Sequence, residues 1–326
     1  MKLKLLLPLI LIISACSQEV SIDRDDLIKR AGAPLLEGLG SHSFVISSKV
    51  EGVQDYFNQG LIMAFAFNHA ESIRSFKAAQ KLDPNCAICY WGEALALGPN
   101  INVTSDGKAI MKPQERRDAF DRTNKALELL EFATPKERDF ILALKARYNG
   151  DVNSSRVPLD IAYAEEMEKL SLKYPDDTDA ASLYSEALMN TMPWNYWAED
   201  GNPKPDTVKV INTIESVLDK DPNHPLAIHL YIHAVEASSD PGRAEEAADR
   251  LASLVPGAGH LVHMPSHIYW RIGRYEDASL ANIAAAKVDE EYIAQCNAQG
   301  FYPALYYPHN VHFLWAASTM EGMSAL

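Results

Sequence analysis

Several familiar signals are missing from this chain of 326 residues. Val, Ile and Thr do not gather into alternating runs, so the sequence offers no half-buried strands. The apolar run near the N-terminus, Leu5 to Ile13, is too short to cross a bilayer as a stable helix. Positive charge is scarce: 30 Lys and Arg stand against 44 Asp and Glu, a net charge of −14. With no basic patch interleaved with aromatics, nucleic acid is excluded as a partner. There is no phosphate loop and no G-x-S-x-G elbow, so no catalytic residue is assigned. Cysteine is nearly absent, with four in the chain.

What is present begins with a targeting signal. Lys2 and Lys4 precede the apolar run, which ends in Ile13-Ser14-Ala15-Cys16. The small residues directly before a cysteine read as a bacterial lipobox. Residues 1–15 are then a lipoprotein signal peptide and Cys16 the lipidated residue. Ser17, rather than Asp, follows the cysteine; by resemblance to sorted lipoproteins this implies the outer membrane. The expected location is the cell envelope, lipid-anchored and facing the periplasm, an oxidising setting. Residues 16–50 show little periodicity and read as a tether and entry segment.

From residue 51 to 326 the periodicity is helical nearly throughout. Tyr56, Gly60, Phe76, Ala79 and Pro84 form a spaced set: an aromatic, a small residue where helices cross, then an F…A…P tail. Asp83-Pro84-Asn85 recurs as Asp221-Pro222-Asn223. Thr134-Pro135-Lys136-Glu137 reads as a capping box with Pro at the first helical position. Two long loops interrupt the helices, Gly98 to Pro113 and Met192 to Pro205. In the second, Trp194 and Trp197 are read as covering an otherwise exposed apolar face. Pro308 to Glu321 reads as a first helix and Gly322 as its turn. Met323 to Leu326 then starts a partner helix, which predicts an array continuing past Leu326 or completed by another chain.

These features resemble tetratricopeptide repeat proteins, and more narrowly a group of longer bacterial envelope lipoproteins of that class. The phrases that carry the likeness are F-N-H-A-E-S-I-R-S-F (67–76), W-G-E-A-L-A-L-G-P-N-I-N (91–102), H-L-Y-I-H-A-V-E-A-S (229–238), G-H-L-V-H-M-P-S-H-I-Y (259–269) and Y-P-H-N-V-H-F-L (307–314). The resemblance implies an all-α, right-handed helix-turn-helix solenoid. Its concave groove, lined by first helices, would bind a protein or peptide. It implies no catalytic residue.

The remaining signal is histidine. Eight of the ten lie between 224 and 312. His229, His233 and Glu236 are spaced four then three, and His260, His263 and His267 three then four, so each set shares a helical face. His309 and His312 are spaced three. Counted back from Gly273 and Gly322, His260, His263, His267, His309 and His312 fall on positions that line the groove in this repeat class. Cys86, Cys89 and Glu93 occupy the matching places of an earlier unit. Imidazole, thiolate and carboxylate are the ligands of a zinc- or copper-like ion. His229-Leu-Tyr-Ile-His233 has protease spacing but lacks the glutamate base at Leu230. Pro265 biases Met264 away from helix, which could leave His260 and His263 in an entry loop. Helix-entry histidines can also simply cap backbone groups. Cys86-Ala-Ile-Cys89 fits a redox pair, half a metal site, or a buried or disulfide-bonded pair, the last being expected in an oxidising compartment. Two functions follow. One is an envelope-tethered scaffold holding a protein or peptide in its groove; the other is a metal-binding protein or metal-dependent enzyme. An open trough with scattered polar groups would favour the first. Three ligand atoms converging on a point would favour the second.

Overall fold

The computed structural model describes residues 23–102 and 111–323. The signal peptide and Cys16 lie outside those residues, as does half of the first long loop. Among the described residues the protein is all-helical and has no strand, only an isolated bridge between Trp197 and Pro203. Helix α1 (Arg24–Ala31) leads into α2 (Val53–Phe65), α3 (His69–Leu82), α4 (Ala87–Leu97), α5 (Pro113–Glu128), α6 (Pro135–Lys145), α7 (Val157–Lys173) and α8 (Thr178–Thr191). Then follow α9 (Pro205–Lys220), α10 (Pro225–Val235), α11 (Glu245–Leu254), α12 (Gly259–His263), α13 (Pro265–Ile272), α14 (Tyr275–Cys296) and α15 (Phe301–Glu321).

From α2 onward each helix packs against its sequence neighbours; alternate helices also touch (α1 with α3, α2 with α4, α4 with α6, α8 with α10, α11 with α13, α12 with α14), as do α10 with α13 and α12 with α15. Local chemistry sets the boundaries. Asp83 and Asp221 both accept the amide two residues on (Asn85 N at 3.0 Å, Asn223 N at 3.1 Å), so the repeated Asp-Pro-Asn is an Asx turn ahead of a helix. Thr134 and Glu137 form the reciprocal capping box. Gly60 and Gly92 allow the crossing of α2, α3 and α4: a Cβ on Gly92 would lie 2.3 Å from the Phe76 ring. Helix α15 begins at Phe301 rather than Pro308, which sits inside it. The aromatic stretch 301–307 pulls the start back, because Tyr302 and Tyr306 are buried.

Helix α10 is the centre of the molecule. Every residue from Pro225 to Val235 is buried, as expected of a helix that is apolar on all sides. It packs on α8, α9, α11, α13 and also α2, so the array curls back on itself.

The segment read as an entry tether has a different fate in its second half. Residues 33–48 lie across α2, α4 and α6. Phe44 is buried against Phe57, Trp91 and Phe140. Leu36 N donates to Gln59 Oε1 at 2.7 Å, Ser47 N to Glu137 Oε1 at 2.7 Å, and Gly257 N to Gly38 O at 2.7 Å. The segment lacks helical period because its amides are satisfied one by one by side chains and loops, not by a ladder.

Candidate metal centre

Seven side chains from α10, α12, α13, α15 and the turn after α10 form one continuous cluster at the heart of the array. His229 and His233 lie one helical turn apart on α10. Their Nε2 atoms are 3.1 Å apart, and His260 Nε2 from α12 is 3.2 Å from His229 Nε2. His263 at the end of α12 and His267 on α13 bring their Nε2 atoms to 2.9 Å, and His309 of α15 joins them, its ring centroid 4.8 Å from that of His263. Each triad places one nitrogen per residue within 4.8 Å of the other two. Three ligands on a zinc-like ion at 2.0–2.1 Å would stand about 3.3 Å apart in tetrahedral geometry, close to the 3.1 and 3.2 Å found.

Hydrogen bonds on the far side of each ring decide which nitrogen faces inward. His229 Nδ1 meets the Phe65 carbonyl at 2.6 Å, and a carbonyl only accepts, so Nδ1 carries the proton. Asn282 Nδ2 donates to Ala278 O, which turns Asn282 Oδ1 toward His263 Nδ1 at 2.6 Å. Glu236 accepts from His233 Nδ1 at 3.2 Å and from His267 Nδ1 at 2.7 Å, one oxygen to each. Four imidazoles therefore present Nε2 lone pairs to one another. Lone pair against lone pair is repulsive unless a cation sits between them. Burial pushes the basicity of His229, His233, His260 and His263 down, and neighbouring imidazoles add to it for each. Burial, with the neighbouring imidazoles of His267 and His233, pushes His309 down to about 4. For Glu236, burial pushes the carboxyl up, but His267 and His233 outweigh it and hold it below the usual carboxylate range. Neutral imidazoles whose Nδ1–H groups are anchored on a carboxylate or carbonyl are the arrangement found behind metal-ligating histidines.

Backbone strain gathers at the same place. Among the described residues, three other than glycine have positive φ: Phe67 (56°), Trp194 (59°) and Asn297 (46°). Asn297 caps a helix. The other two are large aromatics for which the left-handed region is costly. Phe67 sets its ring 4.5 Å from His229 and 5.5 Å from His260, and Trp194 meets His233 edge-on at 5.2 Å. Trp194, read from sequence as a cover for an apolar face, is half exposed and covers a histidine; Trp197 donates its indole N–H to Ala234 O.

The break at Pro265 does not unwind the segment. Met264 keeps α-helical angles (φ −52°, ψ −39°) between α12 and α13. It does separate His260 from His263: their rings stack 5.9 Å apart and their Nε2 atoms serve different triads. His312 is exposed and stacked on Trp315, outside both triads. Cys86 and Cys89 are buried and joined by a disulfide, and Glu93 is held by Gln80 at 2.7 Å, so this trio stands apart from the histidines.

A further grouping had no signal in the sequence. His42 from the entry segment and His224 from the start of α10 converge on Asp179 Oδ1 at 2.9 and 3.2 Å. His224 Nδ1 accepts the Ala227 N–H as a helix cap, so its Nε2 carries the proton and donates to Asp179. Burial pushes the Asp179 carboxyl up, but the bonds from His224 and His42 outweigh it and keep it ionised. The ligand atoms of His42, Asp179 and His224 also lie within 4.8 Å of one another, but here imidazole N–H groups meet a carboxylate that accepts them, and the cluster joins the entry segment, α8 and α10.

No protein-family model matches the chain, and no curated protein matches its sequence. The tetratricopeptide resemblance rests on the phrases quoted above.

Proposed function

We propose that this protein binds transition-metal ions at two three-histidine centres, His229/His233/His260 and His263/His267/His309, linked by Glu236. The observation that carries the reading is the inward convergence of the Nε2 lone pairs of His229, His233, His263 and His267, whose tautomers are fixed from outside by Phe65 O, Asn282 and Glu236. A satisfied structural cluster would alternate donors and acceptors, as the His42/Asp179/His224 group does. The helical repeat array would then serve as a rigid frame for the metal centres, with the tetratricopeptide architecture as its design and an N-terminal lipid on Cys16 holding it in the envelope. The packing of residues 33–48 on α2, α4 and α6 supports this reading over a peptide-binding groove along those helices. Equilibrium dialysis of the purified full-length chain against zinc or copper, followed by elemental analysis, tests it. Two ions per chain are expected. The pair variant His229→Ala/His260→Ala and the pair variant His263→Ala/His309→Ala should each retain one. A wild-type chain that retains none, with helix content intact, removes the proposal.

A further inference from the structure

The two triads differ in what surrounds them, and the difference is chemical. His229, His233 and His260 are 0%, 3% and 1% exposed. Their ceiling is aromatic: Phe67, the edge of Trp194, and Tyr306, whose ring lies 4.7 Å from that of His260. The Tyr306 hydroxyl is engaged by Asn102 at 3.3 Å, and the Phe65 carbonyl by His229 Nδ1. All three donors are neutral nitrogens, with no carboxylate or thiolate among them. In the second triad the His267 side chain is 11% exposed and Glu236 16%. His309 is also partly exposed, so water can reach a fourth position there.

We propose that the His229/His233/His260 centre is a three-coordinate site selective for monovalent copper. This rests on the reading that the triads bind metal, and deepens it by naming the ion. Moving an ion from water into a dry cavity costs energy in proportion to the square of its charge, so a divalent ion pays four times what a monovalent one does. Glu236 is bonded to both His233 and His267, so its one negative charge is shared between the centres, and a monovalent ion at the first leaves less net buried charge than a divalent one. Zinc closes its shell with four ligands, and divalent copper seeks a tetragonal set. Monovalent copper, with a filled d shell, accepts three nitrogens. The left-handed backbone at Phe67 and Trp194 is the structural expense of keeping a fourth ligand out.

The test is an anaerobic titration of the full-length protein with Cu(I) against a chromogenic Cu(I) chelator, repeated with Zn(II) in equimolar competition. Wild-type protein should hold one Cu(I) that Zn(II) does not displace, with three nitrogen neighbours by X-ray absorption. The His263→Ala/His309→Ala variant should keep that ion, and the His229→Ala/His260→Ala variant should lose it. Phe67→Ala should still bind metal but let Zn(II) displace Cu(I), because water can then complete the shell. Displacement of Cu(I) by Zn(II) in wild-type protein, with both ions bound, overturns the selectivity while leaving the metal reading standing. So does Cu(I) with four or more neighbours. A wild-type chain that binds neither ion overturns both. The wild-type competition does not depend on any variant folding.

Discussion

Replacing Glu236 by Gln probes the link between the two centres. The carboxylate takes a proton-bearing Nδ1 on each side, His233 at 3.2 Å and His267 at 2.7 Å. That double acceptance forces both Nε2 lone pairs inward. A glutamine of the same shape has one oxygen and one N–H₂ group. The oxygen should stay with His267, the closer partner, and the N–H₂ would then face His233 Nδ1. To accept from it, His233 must move its proton to Nε2, which removes a metal ligand from the first triad. Loss of such an outer partner typically lowers metal affinity roughly 10–100-fold, or about 1.4–2.7 kcal/mol. The assay is a competitive metal titration in two backgrounds, His263→Ala/His309→Ala to isolate the first triad and His229→Ala/His260→Ala to isolate the second. Glu236→Gln should weaken the first triad by that factor and the second by less. Equal affinity at both, or a loss confined to the second, refutes the tautomer argument. A circular dichroism melt controls for folding.

Other outcomes follow from groups around the cluster. Asp289 is buried between Tyr302 and Asn310 (2.9 and 2.7 Å), and burial pushes its carboxyl from 3.8 up to about 7. The unfolded chain releases that proton first, so stability falls as pH rises from about 4 to 7. Asp289→Asn should raise stability at pH 8 by up to about 4 kcal/mol, with the gain shrinking toward pH 4 in urea unfolding. Asn310 can turn its unpartnered Oδ1 to receive the new amide. His69 behaves oppositely. Burial and Arg147 hold it down to about 4 from 6.5, so its contribution is present above 6.5 and lost as pH falls through 4; His69→Gln should flatten the acid limb of the stability curve. Gly259→Ala would place a Cβ 2.0 Å from Asp289 Oδ1. It should shift the start of α12, and with it His260, and weaken the first triad's metal binding. Gly92→Ala should cost about 1–3 kcal/mol by overpacking against Phe76, read from the denaturation midpoint, without changing metal content.

The helices were legible because their punctuation is local: the two Asp-Pro-Asn turns, the Thr134 capping box and the small residues at Gly60 and Gly92 each carry their own geometry. The histidines of α10 and α12 to α13 were legible as faces because i, i+3 and i+4 spacings survive even the proline at 265. Their division into two triads was not. That depends on how α10, α12 and α15 cross, and on Glu236 standing between His233 and His267, a relation between helices that no single-helix periodicity contains. Residues 33–48 were misread for a related reason. Their contacts reach Gln59, Glu137, Asp179 and Gly257, all distant in sequence, so the segment has no pattern of its own. Phe67 and Trp194 carry no sign of their left-handed backbone, because the usual marker for that conformation is glycine. His42 was invisible until α8 and α10 brought Asp179 and His224 to it.

The most direct test of the metal centre is an anomalous difference map from crystals of the metal-loaded protein, collected on both sides of the metal's absorption edge. Two peaks are predicted, one within bonding distance of the Nε2 atoms of His229, His233 and His260, the other likewise placed among His263, His267 and His309, with Glu236 between them on the outer nitrogens of His233 and His267. Peaks found only at the molecular surface, with the buried Nε2 atoms bridged by shared protons, would contradict it.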